Sequence, residues 1–187
     1  KKSKKNGVTE FLASKCNIND QSEIMFIHNK KFSVVPITTH LQIKKVHNKI
    51  TKNLIIKKII LFNNNYKKIF KNKPKIGILG LNPHNNEFKR NSEEITEILP
   101  AIKYLKRINI NINGPLSADT AFIERYKNFN VIVGMYHDQV LTPLKSIYNF
   151  EAINITIGLP FIRISPDHGP NLEMFLKNKS NPNSLIQ

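Results

Sequence analysis

The stretch Lys75-Ile76-Gly77-Ile78-Leu79-Gly80-Leu81 follows directly after Pro74 and is almost entirely apolar. A strand buried on both faces of a parallel sheet has this character, because neither of its faces meets water. Val131–Tyr136 is a second run of the same kind, and Ile153–Ile157 is a further candidate. These runs predict a parallel sheet at the centre of the fold.

The segments around this centre alternate between strand and helix patterns. Glu23–His28 and Lys31–Ile37 are short runs rich in β-branched residues, which predicts two strands. From Leu54 to Phe70 apolar residues recur at three- and four-residue steps, as they do in an amphipathic helix. The lysines of this segment are expected to form its solvent face: Lys57, Lys58, Lys67 and Lys68.

A second helix is predicted from about Ser92 to Arg107, with Asn91 or Ser92 as its cap and a bend at Pro100. Strands that alternate with helices predict an α/β fold, in which a mostly parallel sheet carries helices on both faces. The sequence has no internal repeat and no long linker, so we expect residues 1–187 to form a single α/β domain.

Composition narrows the class of protein. The chain has 187 residues, of which 40% are hydrophobic, and this length allows a sizeable buried core. No apolar run approaches eighteen residues, so no membrane span is expected. Cys16 is the only cysteine, which excludes a disulfide framework and a cysteine-based metal site, and favours a reducing, cytoplasmic setting.

Positive charge is concentrated in the first part of the chain. The formal net charge is +16, and residues 1–75 hold 18 Lys against three acidic residues. A basic surface can attract nucleic acid or an acidic membrane. Composition is the favoured explanation, because Lys, Ile and Asn all have A/T-rich codons and occur 25, 28 and 25 times. We therefore expect a solvated basic face, with neither a nucleic-acid nor a membrane partner.

Three of the six histidines share a position relative to the predicted strands. His40, His84 and His137 each follow a predicted strand closely. In an open parallel sheet, ligands bind outside the carboxyl ends of the strands. Three imidazoles at such ends can converge on one divalent cation and leave open positions for substrate or water. The alternative is that each is an inert surface residue.

Two carboxylates near these positions have more than one interpretation. Asp138, directly after His137, can accept a hydrogen bond from the imidazole or act as a base, and it can also cap a helix over Val140–Ile147. Asp119 lies in a turn that leads into a short helix. It is either the N-cap of that helix or a carboxylate near the metal.

Isolated polar and cationic side chains follow in the C-terminal part. Lys145, Asn154 and Arg163 lie in otherwise apolar segments. A lysine and an arginine together suit a phosphate monoester, because Arg donates paired hydrogen bonds and Lys supplies a point charge. The alternative is ordinary surface cations, although Arg is scarce here, with four copies against 25 Lys. His168 is either a fourth ligand or a loop-stabilising residue, and two histidines are assigned structural or surface roles: His28 and His47.

Eight segments, in order and with near-family spacing, resemble the 4-hydroxythreonine-4-phosphate dehydrogenases, a family of pyridoxal phosphate (vitamin B6) biosynthesis. Each segment alone is a weak signal, but the ordered set covers almost the whole chain and is specific. The segments are Gly7–Leu12 (GVTEFL), Thr38–Leu41 (TTHL), Gly80–His84 (GLNPH), Ser92–Glu94 (SEE), Gly114–Thr120 (GPLSADT), Met135–Gln139 (MYHDQ), Asn154–Arg163 (NITIGLPFIR) and Ser165–Gly169 (SPDHG).

The resemblance implies an isocitrate/isopropylmalate dehydrogenase-like fold and a homodimer whose active site is shared between two subunits. A divalent cation (Zn, Mg or Co) is implied at three histidines: His40, His84 and His137. Substrate binding is implied at four residues: Thr9, Lys145, Asn154 and Arg163. Active-site acids are implied at two positions: Asp119 and Asp138.

The implied reaction is the NAD-dependent oxidation of 4-phosphohydroxy-L-threonine to 2-amino-3-oxo-4-(phosphooxy)butanoate. This β-keto acid then loses CO2 and gives 3-amino-2-oxopropyl phosphate. A divalent cation at the hydroxyl suits such chemistry because it lowers the pKa of the alcohol. No G-x-G-x-x-G fingerprint is present in the sequence, so the NAD-binding residues are not assigned.

The chain also departs from the family pattern. Val8 stands where the family has a substrate-contacting His, Asn85-Asn86-Glu87 replaces Ala-Gly-Glu, and Val140 replaces Gly. The family chain begins well before Gly7, so we expect the N-terminal partner domain to be largely absent and the end at Asn183–Gln187 to fall inside a final helix. An inactive remnant that keeps the fold and the metal site is therefore the alternative to a working dehydrogenase.

Overall fold

A computed structural model describes residues 8–16, 23–167 and 182–186. Its strands are β1 (Ile24–His28), β2 (Ser33–Pro36), β3 (Ile76–Leu79), β4 (Ile112–Leu116), β5 (Val131–Gly134), β6 (Ile153–Ile157) and β7 (Arg163–Pro166). Its α-helices are α1 (Val8–Lys15), α2 (Lys52–Phe70), α3 (Leu99–Arg107), α4 (Ala118–Ala121), α5 (His137–Tyr148) and α6 (Asn183–Ile186).

The seven described strands form one sheet in the order β4-β3-β5-β2-β1-β6-β7. The neighbours β4, β3, β5 and β2 are mutually parallel. β1 is antiparallel to both β2 and β6, and β7 is antiparallel to β6. Five of the seven strands therefore point the same way, and the predicted α/β fold with a mostly parallel sheet is confirmed.

Helices cover both faces of the sheet because alternate strand residues point to opposite sides. On one face, α2 and α3 pack on the sheet, and Phe62 of α2 meets Phe26 edge-on with ring centroids 5.2 Å apart. On the other face, α5 packs on Val34 and Met25 through residues such as Leu141. The prediction of helices on both faces is confirmed.

The predicted solvent face of α2 is wrong at one position. Lys58 is only 5% exposed, whereas Lys57 and Lys68 are exposed. Lys58 lies three residues after Ile55 and next to Ile59, both fully buried, so helical periodicity places it on the core side. The long aliphatic stem of a lysine tolerates such a position.

The second predicted helix is divided in two. A π-helical turn over Glu94–Ile98 leads into α3, and Pro100 lies in the first turn of α3, where a proline is tolerated. The bend at Pro100 stays a prediction. Glu93 already has helical backbone angles, and the backbone oxygen of Ser92 accepts from the N–H groups of Ile95 and Thr96, so the helical segment begins directly after Ser92, one of the two predicted cap positions. The hydroxyl of Ser92 makes no capping hydrogen bond. Within the described ranges, no helix is long and apolar enough to cross a membrane.

Candidate active site

The carboxyl ends of β2, β3 and β5 meet at one edge of the sheet. These strands are adjacent and parallel, in the order β3-β5-β2. His40 follows β2, His84 follows β3, and His137 is the first residue of α5 directly after β5. The imidazole rings of His40 and His137 lie with their centroids 5.9 Å apart. The structure therefore brings two of the three predicted metal ligands together.

Asp138 fixes the orientation of His137. The Nδ1 atom of His137 lies 2.7 Å from Oδ1 of Asp138. Because an ionised carboxylate only accepts hydrogen bonds, Nδ1–H of the imidazole donates and the lone pair of Nε2 remains for a ligand. This geometry favours the acceptor role of Asp138 over the cap role, since α5 begins at His137 and Asp138 lies inside its first turn.

His84 lies apart from the pair formed by His40 and His137. Its Nδ1 is 3.5 Å from Oδ2 of Asp119, and its side chain is 74% exposed. The cap residue of α4 is Ser117, so Asp119 lies inside that short helix rather than at its N-cap. In the described part of a single chain, no three His, Cys, Asp or Glu side chains lie close enough to hold a metal ion.

The turn that carries His84 has an unusual backbone. All five residues from His84 to Phe88 have φ between 48° and 55°. This left-handed region is unfavourable for residues with a Cβ, and Asn tolerates it best after Gly. Asn85 and Asn86 are therefore compatible with a position where the family pattern has Gly. The other departure needs no such freedom, because Val140 lies in α5 and is fully buried.

Glu94 anchors the start of the same turn. Its buried carboxylate accepts hydrogen bonds from the backbone N–H groups of Leu81 and Asn82, both at 2.8 Å, and from Nδ2 of Asn82 at 3.1 Å. Burial acts to raise the pKa of Glu94, but the hydrogen bonds from Asn82 and Leu81 outweigh it, and the pKa lies below its usual value. The sequence does not predict this role of Glu94, because its partners Asn82 and Leu81 lie twelve and thirteen positions away.

Replacing Glu94 by Gln is expected to make unfolding less dependent on pH. The folded-state pKa of Glu94 is depressed below 4.5, so its stabilisation is present above about pH 4.5 and is lost as pH falls through the folded pKa. At pH 7 the variant should lose roughly 1.5–3 kcal/mol in free energy of unfolding, the range for hydrogen bonds to charged groups. Urea unfolding at pH 7 and at pH 3.5 measures both effects. The matched control is Glu151→Gln at an exposed carboxylate, and equal pH dependence in both variants would contradict the prediction.

A cleft of about 510 Å³ lies beside the two neighbouring histidines, on the α5 side of the sheet. It contains seven residues singled out from the sequence: Val8, His40, His137, Asp138, Lys145, Asn154 and Arg163. Val8 is 59% exposed and contributes an apolar side chain to the lining of the cleft. The cleft thus combines imidazoles, carboxylates and two cations.

The two cations are held by neighbouring groups. Nζ of Lys145 donates to the backbone oxygen of Asp167 at 2.7 Å and lies 3.8 Å from its Oδ2. Nη1 of Arg163 donates to Oγ1 of Thr156 at 3.1 Å. Asn154 is two positions before Thr156, which pairs with Arg163 across β6 and β7, so all three lie on one face of the sheet.

Asp167 was not predicted from the sequence, although it lies in the quoted segment Ser165–Gly169. Its carboxylate is buried beside Lys145. Among the other predicted positions, His168 lies outside the described residues, as does the side chain of Thr9, whose backbone belongs to α1. The roles assigned to both residues stay predictions.

The two remaining histidines are placed as predicted. His28 packs against the rings of Phe26 and Phe70, and its Nδ1 lies 2.9 Å from Oγ of Ser33. Burial lowers the pKa of His28. His47 is exposed on the surface.

Comparison with solved structures defines the class of protein. The chain superposes on a crystal structure of 4-hydroxythreonine-4-phosphate dehydrogenase from Klebsiella pneumoniae with a TM-score of 0.81 and 30% sequence identity. The alignment covers 97% of this chain and 56% of that one. The fold and the cleft at the strand ends therefore define an α/β protein of the isocitrate/isopropylmalate dehydrogenase-like class, as expected.

Sequence comparison gives the particular family. The family model for pyridoxal phosphate biosynthetic protein PdxA matches residues 1–187, and the chain belongs to this family. It is 46% identical over 183 residues to 4-hydroxythreonine-4-phosphate dehydrogenase of Sulfurihydrogenibium sp. (strain YO3AOP1), covering 97% of this chain and 56% of the relative. It is 42% identical over 181 residues to the Aquifex aeolicus (strain VF5) protein of that name, covering 96% and 56%. The chain thus spans about half the length of these relatives.

Proposed function

We propose that the cleft binds a phosphorylated amino acid and a divalent cation, and that it belongs to the active site of a NAD-dependent 4-hydroxythreonine-4-phosphate dehydrogenase. The observation that carries this proposal is the shared cleft, in which His40 and His137 lie together with Lys145, Asn154 and Arg163. The names of the relatives support the same reaction. NAD, when bound, would supply the acceptor for a hydride (one proton with two electrons) from the alcohol carbon of the substrate, while the hydroxyl proton leaves separately.

Lys145 and Arg163 would hold the phosphate end of the substrate. Arg163 presents a planar fork of N–H donors, and Lys145 adds a compact positive charge. Arg163 is already held by Thr156 and Lys145 by Asp167, which reduces the side-chain entropy lost when the substrate binds. A phosphate fixed at this end would position the alcohol carbon and the carboxyl group toward the histidines, which is how remote binding energy contributes to the reaction.

The donor set at His40 and His137 fits a divalent metal. Imidazole nitrogen suits Zn or Co better than Mg. Among the three cations implied by the resemblance we therefore favour Zn and Co. The bond between Asp138 and Nδ1 of His137 leaves Nε2 available as a ligand. A metal held there would supply a positive charge that lowers the pKa of the substrate alcohol and stabilises negative charge on its oxygen.

We further propose that His84 of a second copy completes the metal site in a homodimer. Support comes from the separation of His84 from the other two histidines. Among the described residues of one chain, only His40 and His137 lie together, so a third histidine ligand is missing. Asp119 would then orient the partner-facing imidazole from behind. A shared site of this kind joins two identical subunits across a twofold axis.

Mixing two inactive variants is expected to restore part of the activity. In a mixed dimer of His84→Ala and His137→Ala subunits, one of the two sites has all three histidines. Statistical mixing should therefore give about a quarter of the wild-type turnover for a twofold dimer. The matched control mixes His40→Ala with His137→Ala, which lose ligands of the same half-site and should stay inactive. Equal turnover in both mixtures would contradict a shared site.

The competing candidate is a non-catalytic relative that keeps the fold and binds metal. The observation that favours it is Val8, which presents a hydrocarbon surface to the cleft where the family has a polar contact. Whichever activity applies, the lone cysteine and the family's metabolic role support a cytoplasmic setting. We propose no nucleic-acid partner, because the A/T-rich codon composition already accounts for the positive charge of the chain.

The decisive experiment measures NADH formation by the purified chain with 4-phosphohydroxythreonine, NAD and a divalent cation. Turnover that disappears in a parallel His137→Ala sample would support the dehydrogenase and exclude a contaminating host enzyme. No turnover, with metal still bound through the histidines, would favour the non-catalytic relative. No turnover and no metal binding would overturn the assignment of the site.

A further inference from the structure

The loops after β2, β3 and β5 are joined by hydrogen bonds that centre on Met135. The backbone oxygen of Met135 accepts from the backbone N–H of Thr38 at 3.1 Å and from its Oγ1 at 2.8 Å. This double contact joins the loop of His40 to the loop of His137. The backbone N–H of Met135 is bonded differently, to a side chain of α5.

That side chain is Gln139, whose amide spans two loops. Its Oε1 accepts from the N–H of Met135 at 2.7 Å, and its Nε2 donates to the backbone oxygen of Gly80 at 2.8 Å. Gly80 begins the turn that carries His84, and it lies 59 positions from Gln139. One side chain therefore connects the end of β5 with the turn after β3.

Glycine at position 134 gives this amide its room. A Cβ at Gly134 would lie 3.0 Å from Oε1 of Gln139 and 2.5 Å from Cγ1 of Val140. Any larger residue would push the first turn of α5 away from the sheet. The packing around Gly134 therefore holds the side chain of Gln139 close to the backbone.

We propose that Gln139 is a positioning residue, which holds the His84 turn against the end of β5 and thereby sets the metal affinity of the site. The proposal rests on the proposed function, because it assumes that His84 and His137 are ligands. An amide is required, since the side chain must accept from one loop and donate to the other. Neither a carboxylate nor a hydrocarbon of the same size does both.

The test compares Gln139→Glu with Gln139→Leu in the full chain. The Gln139→Glu variant keeps an acceptor for the N–H of Met135 but loses the donor to Gly80, whereas Gln139→Leu loses both bonds at similar volume. Asn53→Asp is the matched control, because it makes the same amide-to-carboxylate change at an exposed position in the first turn of α2. Two readouts are measured: amide hydrogen exchange without metal, and Co²⁺ titration by its absorption spectrum.

In Gln139→Glu, the amides of Leu81 and Asn82 are expected to exchange roughly three- to tenfold faster, the factor for losing about one hydrogen bond. The amides inside β3 and β5 should keep their wild-type rates, which distinguishes a local positioning role from general loss of stability. The N–H of Met135 should exchange faster only in Gln139→Leu. Affinity for Co²⁺ should fall about 10- to 100-fold in both variants, as for other groups that orient ligands.

Unchanged exchange and unchanged Co²⁺ affinity in Gln139→Glu would overturn the proposal. If the wild-type chain binds no Co²⁺, the proposed function fails. In that case, faster exchange in Gln139→Glu confined to the amides of Leu81 and Asn82 would still support the positioning role. Exchange rates equal to those of the wild type would overturn it. If Gln139→Glu does not fold, Gln139→Leu decides by the same readouts. Failure of both variants to fold would also overturn it, since Gln139 would then support the whole fold.

Discussion

His137→Ala is expected to lose metal binding and NADH formation together. The ring centroid of His137 lies 5.9 Å from that of His40. The hydrogen bond from Nδ1 of His137 to Asp138 leaves Nε2 available to bind a metal. Removing His137 leaves His40 without its nearest imidazole in the cleft. Turnover should fall roughly a thousandfold or more, because a bound metal contributes several kcal/mol and each 1.4 kcal/mol is a factor of ten.

The result should repeat in His40→Ala and should not appear in His47→Ala, which removes an exposed imidazole outside the cleft. Metal content is measured after dialysis, and turnover is measured with the cation in excess. Circular dichroism checks that the variants fold, since His40 is exposed and His137 is only half-buried. Full metal binding in His137→Ala with unimpaired turnover would contradict the assignment of this histidine.

Asp138 offers a graded version of the same experiment. Asp138→Asn keeps the size of the side chain and an oxygen that can accept from Nδ1–H, but it removes the charge that makes the imidazole a stronger ligand. An effect smaller than that of His137→Ala, and visible mainly in metal affinity, would assign Asp138 to orientation rather than to proton transfer. A loss of turnover at full metal occupancy would instead support its role as a base.

The location of the site was predictable because it depends on strand ends. Buried apolar runs identified β3 and β5, and the histidine that follows each run is a local feature of the sequence. What the sequence left open was the strand order, and the structure supplies it by placing β5 between β3 and β2. That order brings His40 and His137 to one edge, whereas the left-handed turn after β3 directs His84 toward Asp119.

Other elements were hidden by local composition. β4 contains Gly114-Pro115, two residues that normally interrupt strands, and it tolerates them near its end at the edge of the sheet. β7 has only four residues and also lies at an edge. Glu94 and Gln139 were missed for a different reason. Their partners are distant in sequence, so no spacing rule reveals that they hold the site's loops in place.

Arg163→Ala is expected to weaken binding of the phosphorylated substrate about a hundredfold, which corresponds to the loss of a charge-assisted pair of hydrogen bonds. Arg163 lies in the cleft with its guanidinium held by Thr156, so its donors are oriented before the phosphate arrives. Because the phosphate end positions the reacting carbon, kcat should fall as well as KM rise. Arg163→Lys keeps the charge but loses the planar fork, and we expect an intermediate loss of about tenfold.

Competition with inorganic phosphate separates this role from a general effect on the fold. Inorganic phosphate should inhibit the wild-type chain by occupying the site of Arg163 and Lys145, and it should inhibit Arg163→Ala much less. Arg125→Ala is the matched control at an exposed arginine outside the cleft, and it should keep wild-type KM and phosphate inhibition. An unchanged KM in Arg163→Ala would contradict phosphate binding at this end of the cleft. The cation pair would then serve the packing of β6, β7 and α5, and the phosphate would have to bind elsewhere.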